Sequence, residues 1–245
     1  MSSVGGQPGL EIVAKDRVLE VTLANPPDNR LTPGMIEGLN EAVDRLESDD
    51  LDVLVITGTR RVFSKGFDVD VIKSHRDRSD LLPVLVLSNA VFSRIAQSPK
   101  LTIAAISGAC MGGGLELAMT CHLRVCAEKT RLGLPEVWID LIPGLGGFHR
   151  LTRLVGAAKA LELVALGDLI TAEEALRLNI VSRVFPQDGF ADRVASFVGT
   201  LAKANQKVIR ELIRLAAYSA TPGEEDGIRR AARSFAELAS CLPKT

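Results

Sequence analysis

The sequence predicts an α/β fold: short runs rich in Val, Leu and Ile alternate with segments of helical spacing, and beyond Arg150 the pattern becomes mainly helical. With 245 residues and 47% apolar side chains, the chain can bury one sizeable core, which suits one domain with an appendage better than two domains. Residues 1–9, small, polar and glycine-rich, read as a flexible tail. Residues 10–187 read as the core with the active site, and residues 188–245 as a C-terminal helical region.

Arg17 to Leu23 alternates apolar and polar residues and stops at Asn25-Pro26-Pro27-Asp28-Asn29, which predicts a strand closed by a rigid turn. A helix follows: Thr32 can cap it, Pro33 suits its first turn, and Ile36, Leu39, Val43 and Leu46 share one face. Leu51 to Gly58 reads as a buried strand, Ser88 to Ala96 as a helix and Leu101 to Ile106 as a second buried strand. A helix over Gly112 to Cys121 and a strand over His122 to Ala127 come next. Gly133 to Gly147 is too glycine-rich to be regular throughout, and long loops of that kind often carry function. Thr171 and Glu174 have capping-box spacing, Ile180 to Val184 is a short strand, and three amphipathic helices are expected from Asp188 onward. Such a tail needs the main body or a partner to cover its apolar faces. No repeat of fixed period and no low-complexity segment is found.

The net charge of −1 and pI near 6.3 give no general attraction for nucleic acid or for a membrane surface. The basic group Arg229, Arg230 and Arg233 reads as a solvated helix side. Cys110, Cys121, Cys126 and Cys241 lack CxxC spacing and a companion histidine array, so they read as small core residues rather than as metal ligands or disulfides. Met1 to Gly9 is not expected to be a signal peptide, no run of about 20 apolar residues is found, and a cytoplasmic location is expected.

Two stretches can carry chemistry. Ser107 to Ala118 places Gly112, Gly113 and Gly114 between a buried strand and a helix, where backbone can approach a ligand and helix-start amides present free N–H groups. Such donors can stabilise an oxyanion. Glu116 follows in the first helical turn, where a carboxylate is equally at home for structural reasons. Leu134-Pro135-Glu136, followed by Pro143 to Gly147, is the second stretch, and Glu136 alone could be a solvated loop acid. The histidines, His75, His122 and His149, accompany no nucleophile motif, which disfavours a serine hydrolase.

Five strings in one order, Phe63-Ser64-Lys65-Gly66-Phe67-Asp68, Ala104 to Ala118, Leu134-Pro135-Glu136, Ile142 to Gly147 and Leu169 to Ala175, resemble the enoyl-CoA hydratase/isomerase family, the crotonase superfamily. The resemblance covers nearly the whole chain. It implies a spiral of repeated strand-strand-helix units, with a C-terminal helical region that forms homotrimers, often stacked as hexamers. It implies that the backbone N–H groups of Phe67 and Gly113 hold a thioester oxygen. Both glutamates of the family's hydratases align, as Glu116 and Glu136. The expected reaction adds water to a 2-enoyl thioester or removes it from the 3-hydroxyacyl partner, with Glu136 giving a proton to C2 and Glu116 orienting and deprotonating the water. Isomerisation or decarboxylation by Glu136 alone is the alternative, and a non-catalytic scaffold or RNA-binding relative is disfavoured by the intact glutamate pair. No resident cofactor is expected, since coenzyme A or phosphopantetheine belongs to the substrate.

Beside the two donors, Gly66, Asp68, Val69, Asp70, Gly112 and Gly114 are expected to line the substrate. Lys65, Trp138 and Asp140 depart from the family's usual residues. Lys65 can meet a phosphate of the thioester handle or stay solvated, and Asp140, where a glycine is common, can reach the site or pair with Lys65. Phe67 is larger than usual and is expected to narrow the acyl pocket. The chain stops soon after Pro243, before a last helix that covers adenine in many members, which raises an acyl carrier protein as the thioester donor.

Overall fold

The computed structural model describes residues 2–4, 8–59, 61–68, 70–71 and 78–219. Val69, His75, the arginines from 229 to 233, Cys241 and the third expected C-terminal helix lie outside these described residues.

The repeating step of the chain is strand, strand, helix. Strands β1 (Ser2–Val4), β2 (Leu10–Lys15) and β3 (Val18–Leu23) lead into helix α1 (Pro33–Leu46), and β4 (Val53–Thr57) and β5 (Val62–Ser64) into α2 (Arg78–Ala96). Strands β6 (Leu101–Ile106) and β7 (Ala109–Met111) lead into α3 (Gly113–Ala118), and β8 (Leu123–Ala127) and β9 (Arg131–Gly133) into a 3-10 helix over Glu136–Ile139. Helices α4 (Gly147–Val155) and α5 (Ala157–Leu166), β10 (Ile170–Thr171), α6 (Ala172–Arg177), β11 (Arg183–Phe185), α7 (Phe190–Lys203) and α8 (Gln206–Ser219) complete the described chain. A seven-stranded sheet runs β1-β2-β3-β4-β6-β8-β11, and a four-stranded sheet runs β10-β9-β7-β5. From β4 to β9 each repeat gives its first strand to the large sheet and its second to the small one, so the chain winds as a spiral between them.

The large sheet is antiparallel from β1 to β3 and parallel from β3 onward. Its central strands are mostly apolar because both faces are covered. Leu54, Ile56, Ala104 and Ile106 enter the main core, which also holds Leu39 and Leu46 of α1. Their neighbours Val53, Val55, Leu101, Ile103 and Ala105 face the opposite way, onto Phe190, Val194 and Val198 of α7 and Ile209 and Ile213 of α8. The C-terminal helices thus use the main body to cover their apolar faces.

Local signals explain several boundaries. Thr32 caps α1, its hydroxyl accepting from Met35 N–H at 3.3 Å, with Pro33 in the first turn. Thr171 caps α6 by accepting from Glu174 N–H at 3.1 Å. Helix α2 starts ten residues before the expected Ser88 because it carries Pro83 internally, a residue that interrupts the helix ladder and hides the first half from a pattern reading. Helix α3 is shorter than Gly112 to Cys121, since the chain tightens where the Thr120 hydroxyl donates to the Leu117 carbonyl at 2.6 Å. The last strand is Arg183–Phe185 rather than Ile180 to Val184: Ile180 and Val181 are spent on the core, and their amides donate to the Ala175 carbonyl. In the stretch read as a tail, Ser2–Val4 pairs with β2.

Candidate active site

The small sheet brings the two glycine-bearing strings together. Leu31 and Phe67 form an isolated parallel bridge in which Leu31 N–H donates to the Gly66 carbonyl at 2.8 Å and Asp68 N–H donates to the Leu31 carbonyl at 2.9 Å. Because backbone groups alternate sides along an extended segment, the Phe67 N–H points away from Leu31. It points toward the start of α3: a Cβ placed on Gly113 would lie 3.0 Å from Phe67 N, and one on Gly66 would lie 3.2 Å from Gly113 N. Gly113 is the first residue of α3, so its N–H has no acceptor within the helix. Two backbone amides, Phe67 and Gly113, are therefore near neighbours at this point.

Close glycine packing holds this approach. A Cβ on Gly114 would sit 2.6 Å from the Ser64 carbonyl oxygen, so α3 can rest on β5 only with glycine there. The Ser64 hydroxyl accepts from Gly66 N–H at 3.1 Å and fixes the turn before Phe67. Gly66 and Gly112 both have positive φ, 101° and 51°, which a side chain would strain.

Glu116 is 2% exposed, and one carboxylate oxygen, Oε1, accepts from Leu145 N–H at 2.7 Å and Gly147 N–H at 2.8 Å. Burial pushes its pKa up to about 7; the negative charge of Glu136 adds to the rise, while the Gly147 and Leu145 amides and the Arg150 charge oppose it. Glu136 opens the 3-10 helix directly after Pro135. Its Oε1 lies 3.0 Å from where a Gly112 Cβ would be, beside the amide pair, and its Oε2 is buried with no hydrogen-bond partner among the described residues. Burial raises the pKa of Glu136 as well. Two carboxyl groups that each resist ionisation, and that feel each other, can divide acid and base roles.

The other expected residues separate into those at the site and those beside it. Gly66, Gly112 and Gly114 build the amide pair. Asp68 is half-buried and its Oδ1 accepts from Asp70 N–H at 2.9 Å, so it organises its own loop, and Asp70 is exposed. Lys65 pairs with Asp28, Nζ to Oδ1 at 2.8 Å, instead of with Asp140. Asp140 is exposed and ends the 3-10 helix in the left-handed region at φ 59°, which explains why glycine is at home there and why a short polar residue is tolerated. Trp138 is 74% exposed and covers Gly167, where a Cβ would meet its Nε1 at 2.4 Å; its indole packs on the end of α5. The Phe67 side chain is half-buried and packs against the main core.

Sequence reasoning missed the holders of Glu116. The Leu145 and Gly147 amides and Arg150 of α4 sit thirty or so positions away in the chain, and only the Gly146-Gly147 pair ahead of a helix hinted at a close approach. His122, half-buried and bonded through Nδ1 to Thr102, stands apart from this site.

The sequence signature of the enoyl-CoA hydratase/isomerase family matches residues 14–241. A Bacillus subtilis protein named probable enoyl-CoA hydratase is 36% identical over 222 residues, 90% of this chain and 86% of that protein. A peroxisomal fatty acid beta-oxidation multifunctional protein of Arabidopsis thaliana is 37% identical over 204 residues, 82% of this chain and 28% of its own length, so this chain spans under a third of that relative. Among solved structures, an enoyl-CoA hydratase of Geobacillus kaustophilus superposes with a TM-score of 0.91 at 28% identity, over 97% of this chain and 90% of that one. DspI of Pseudomonas aeruginosa superposes with a TM-score of 0.90 at 25% identity, over 98% of this chain and 99% of that one. The spiral and these likenesses agree, and the chain belongs to the enoyl-CoA hydratase/isomerase family of the crotonase superfamily.

Proposed function

We propose that this enzyme interconverts a 2-enoyl thioester and its 3-hydroxyacyl partner by adding or removing water. The observation that carries the reading is the pair of carboxyl groups, Glu116 buried and Glu136 half-buried, beside the Phe67 and Gly113 amides. The amides draw charge onto the thioester oxygen, so C3 becomes electrophilic and C2 gains enolate character. Glu116, ionised and held through Oε1, takes a proton from water as the water oxygen bonds to C3. Glu136, whose burial raises its pKa, gives a proton to C2. The elements of water are then added across the double bond, and a proton passing from Glu116 back to Glu136 restores the pair.

Coenzyme A or phosphopantetheine enters as part of the substrate, with no resident cofactor. Arg30 and Lys65, two cations that share Asp28 at 3.7 and 2.8 Å, support a phosphate-bearing handle. Assembly as a homotrimer or a stacked pair of trimers, and a cytoplasmic location, belong to the same reading; among the described residues no helix is long and apolar enough to cross a membrane.

The test follows the absorbance of a short 2-enoyl-CoA, and of the same acyl group on a carrier protein, with wild type, Glu116→Gln and Glu136→Gln. Loss of absorbance in wild type that either substitution abolishes supports hydration by the pair. Turnover that survives Glu116→Gln favours isomerisation or decarboxylation by Glu136 alone. Tight use of the free CoA thioester with no gain on the carrier removes the carrier-bound alternative.

A further inference from the structure

Arg150 lies in α4, outside the donor and carboxylate set, yet it is half-buried next to the turn that holds Glu116. Its Nη1 donates to the Leu145 carbonyl at 2.6 Å. Its guanidinium lies flat enough on Gly146 that a Cβ there would be 2.7 Å from Nη1 and 3.3 Å from Cζ. The Arg150 N–H also donates to the Gly146 carbonyl at 3.0 Å, so side chain and backbone grip successive peptides of one turn. The residues on either side of Gly146 are those whose amides bind Glu116 Oε1, Leu145 at 2.7 Å and Gly147 at 2.8 Å. A charge-assisted bond to a carbonyl is stronger than a neutral one, and little else is needed to lock so short a turn.

We propose that Arg150 is a positioning residue for the hydration chemistry: by clamping the Leu145 carbonyl it fixes the two amides that aim Glu116, and its cation keeps the Glu116 carboxylate available as the base. The proposal rests on the hydratase reading for its catalytic consequence, and on the clamped turn together with the nearby Arg150 charge for its effect on Glu116. The charged groups acting on Glu116 are Glu136 from the 3-10 helix, which disfavours ionisation, and Arg150 from α4, which favours it; Leu145 and Gly147 supply the bonded amides. Arg150 in turn is desolvated, and the Glu116 charge compensates it in part.

The experiment is a carboxyl-carbon NMR titration of Glu116 in wild type, Arg150→Met, Arg150→Gln and Arg150→Lys, with the resonance assigned by its absence in Glu116→Gln. The Met and Gln variants are expected to move the Glu116 midpoint up by roughly half a pH unit or more, and Lys to return it toward wild type. In hydration of a short 2-enoyl-CoA, the acid limb of kcat/KM moves up in step, and kcat falls roughly tenfold or more while KM stays within about twofold. If Arg150→Met does not fold, Arg150→Gln, which keeps a donor for the Leu145 carbonyl but no charge, gives the same reading. An unmoved midpoint in the charge-free variants, or a Lys variant no better than them, overturns the proposal. Absence of hydration in wild type strikes the function reading instead, while the titration still judges Arg150.

Discussion

Glu116 and Gly147 touch so closely that any side chain at position 147 must move one of them: the Gly147 N–H donates to Glu116 Oε1 at 2.8 Å, and a Cβ on Gly147 would lie 2.6 Å from Glu116 Cγ. Gly147→Ala must therefore displace the carboxylate or the turn. The expected result is a folded protein whose 2-enoyl-CoA hydration drops by ~100-fold, as expected when a reacting group shifts by about 1 Å. Circular dichroism and kcat/KM measured together check it.

Stability should depend on pH through the same carboxyl group. The Glu116 pKa rises from the usual 4.5 to about 7 in the folded state, because burial penalises the anion. The folded chain then binds more protons than the unfolded one across that window, so this contribution is fully present below pH 4.5 and is lost as pH rises through 7. Glu116→Gln keeps an acceptor for both amides and removes the charge. It should be more stable than wild type at pH 8, by up to about 3 kcal/mol, with the difference vanishing toward pH 4.5. Urea denaturation at pH 5 and pH 8 measures both arms.

The amide pair makes a separate prediction. Gly114→Ala pushes a methyl to within 2.6 Å of the Ser64 carbonyl oxygen, so α3 and β5 must part and the Gly113 amide leaves its place opposite Phe67. Hydration should fall by ~10² to 10³, the cost of a lost oxyanion donor. The fall should appear in kcat, and an unchanged kcat in a well-folded variant would mean that these amides do not bear the developing charge.

Lys100 serves the fold away from the site. It is 6% exposed, and its Nζ donates to the carbonyls of Leu46, Ser48 and Leu51 at 2.8, 2.6 and 2.7 Å, tying the end of α1 to the entry of β4. Lys100→Met takes a donor from each of three carbonyls, of which Ser48 keeps another, the Leu51 N–H at 3.2 Å, and should cost about 2 to 4 kcal/mol in chemical denaturation, with kcat unchanged at temperatures where the variant remains folded.

How much of this was legible depended on sequence distance. Thr32 with Pro33, and Thr171 with Glu174, announced their helices because a cap and its partner lie within one turn. Buried strands such as Leu101–Ile106 announced themselves as continuous apolar runs. The four-stranded sheet left no such mark: Val62–Ser64, Ala109–Met111, Arg131–Gly133 and Ile170–Thr171 are too short for alternation to register. That sheet is nonetheless what joins the Phe67 string to the Gly113 string. Trp138, Asp140 and Lys65 were singled out by type, but their neighbours Gly167 and Asp28 decide where they point.

The sequence alone determined the α/β class, the family resemblance, the two glutamates and the two glycine-bearing strings, because each is written in residues a few positions apart. Tertiary structure decided what those residues can do. Only folding sets the Phe67 amide against Gly113, buries Glu116 until its pKa rises to about 7, and brings Leu145, Gly147 and Arg150 around its carboxylate. Desolvation and the fields of neighbouring charges depend on distances through space, and residues some thirty positions apart meet only when the spiral has closed.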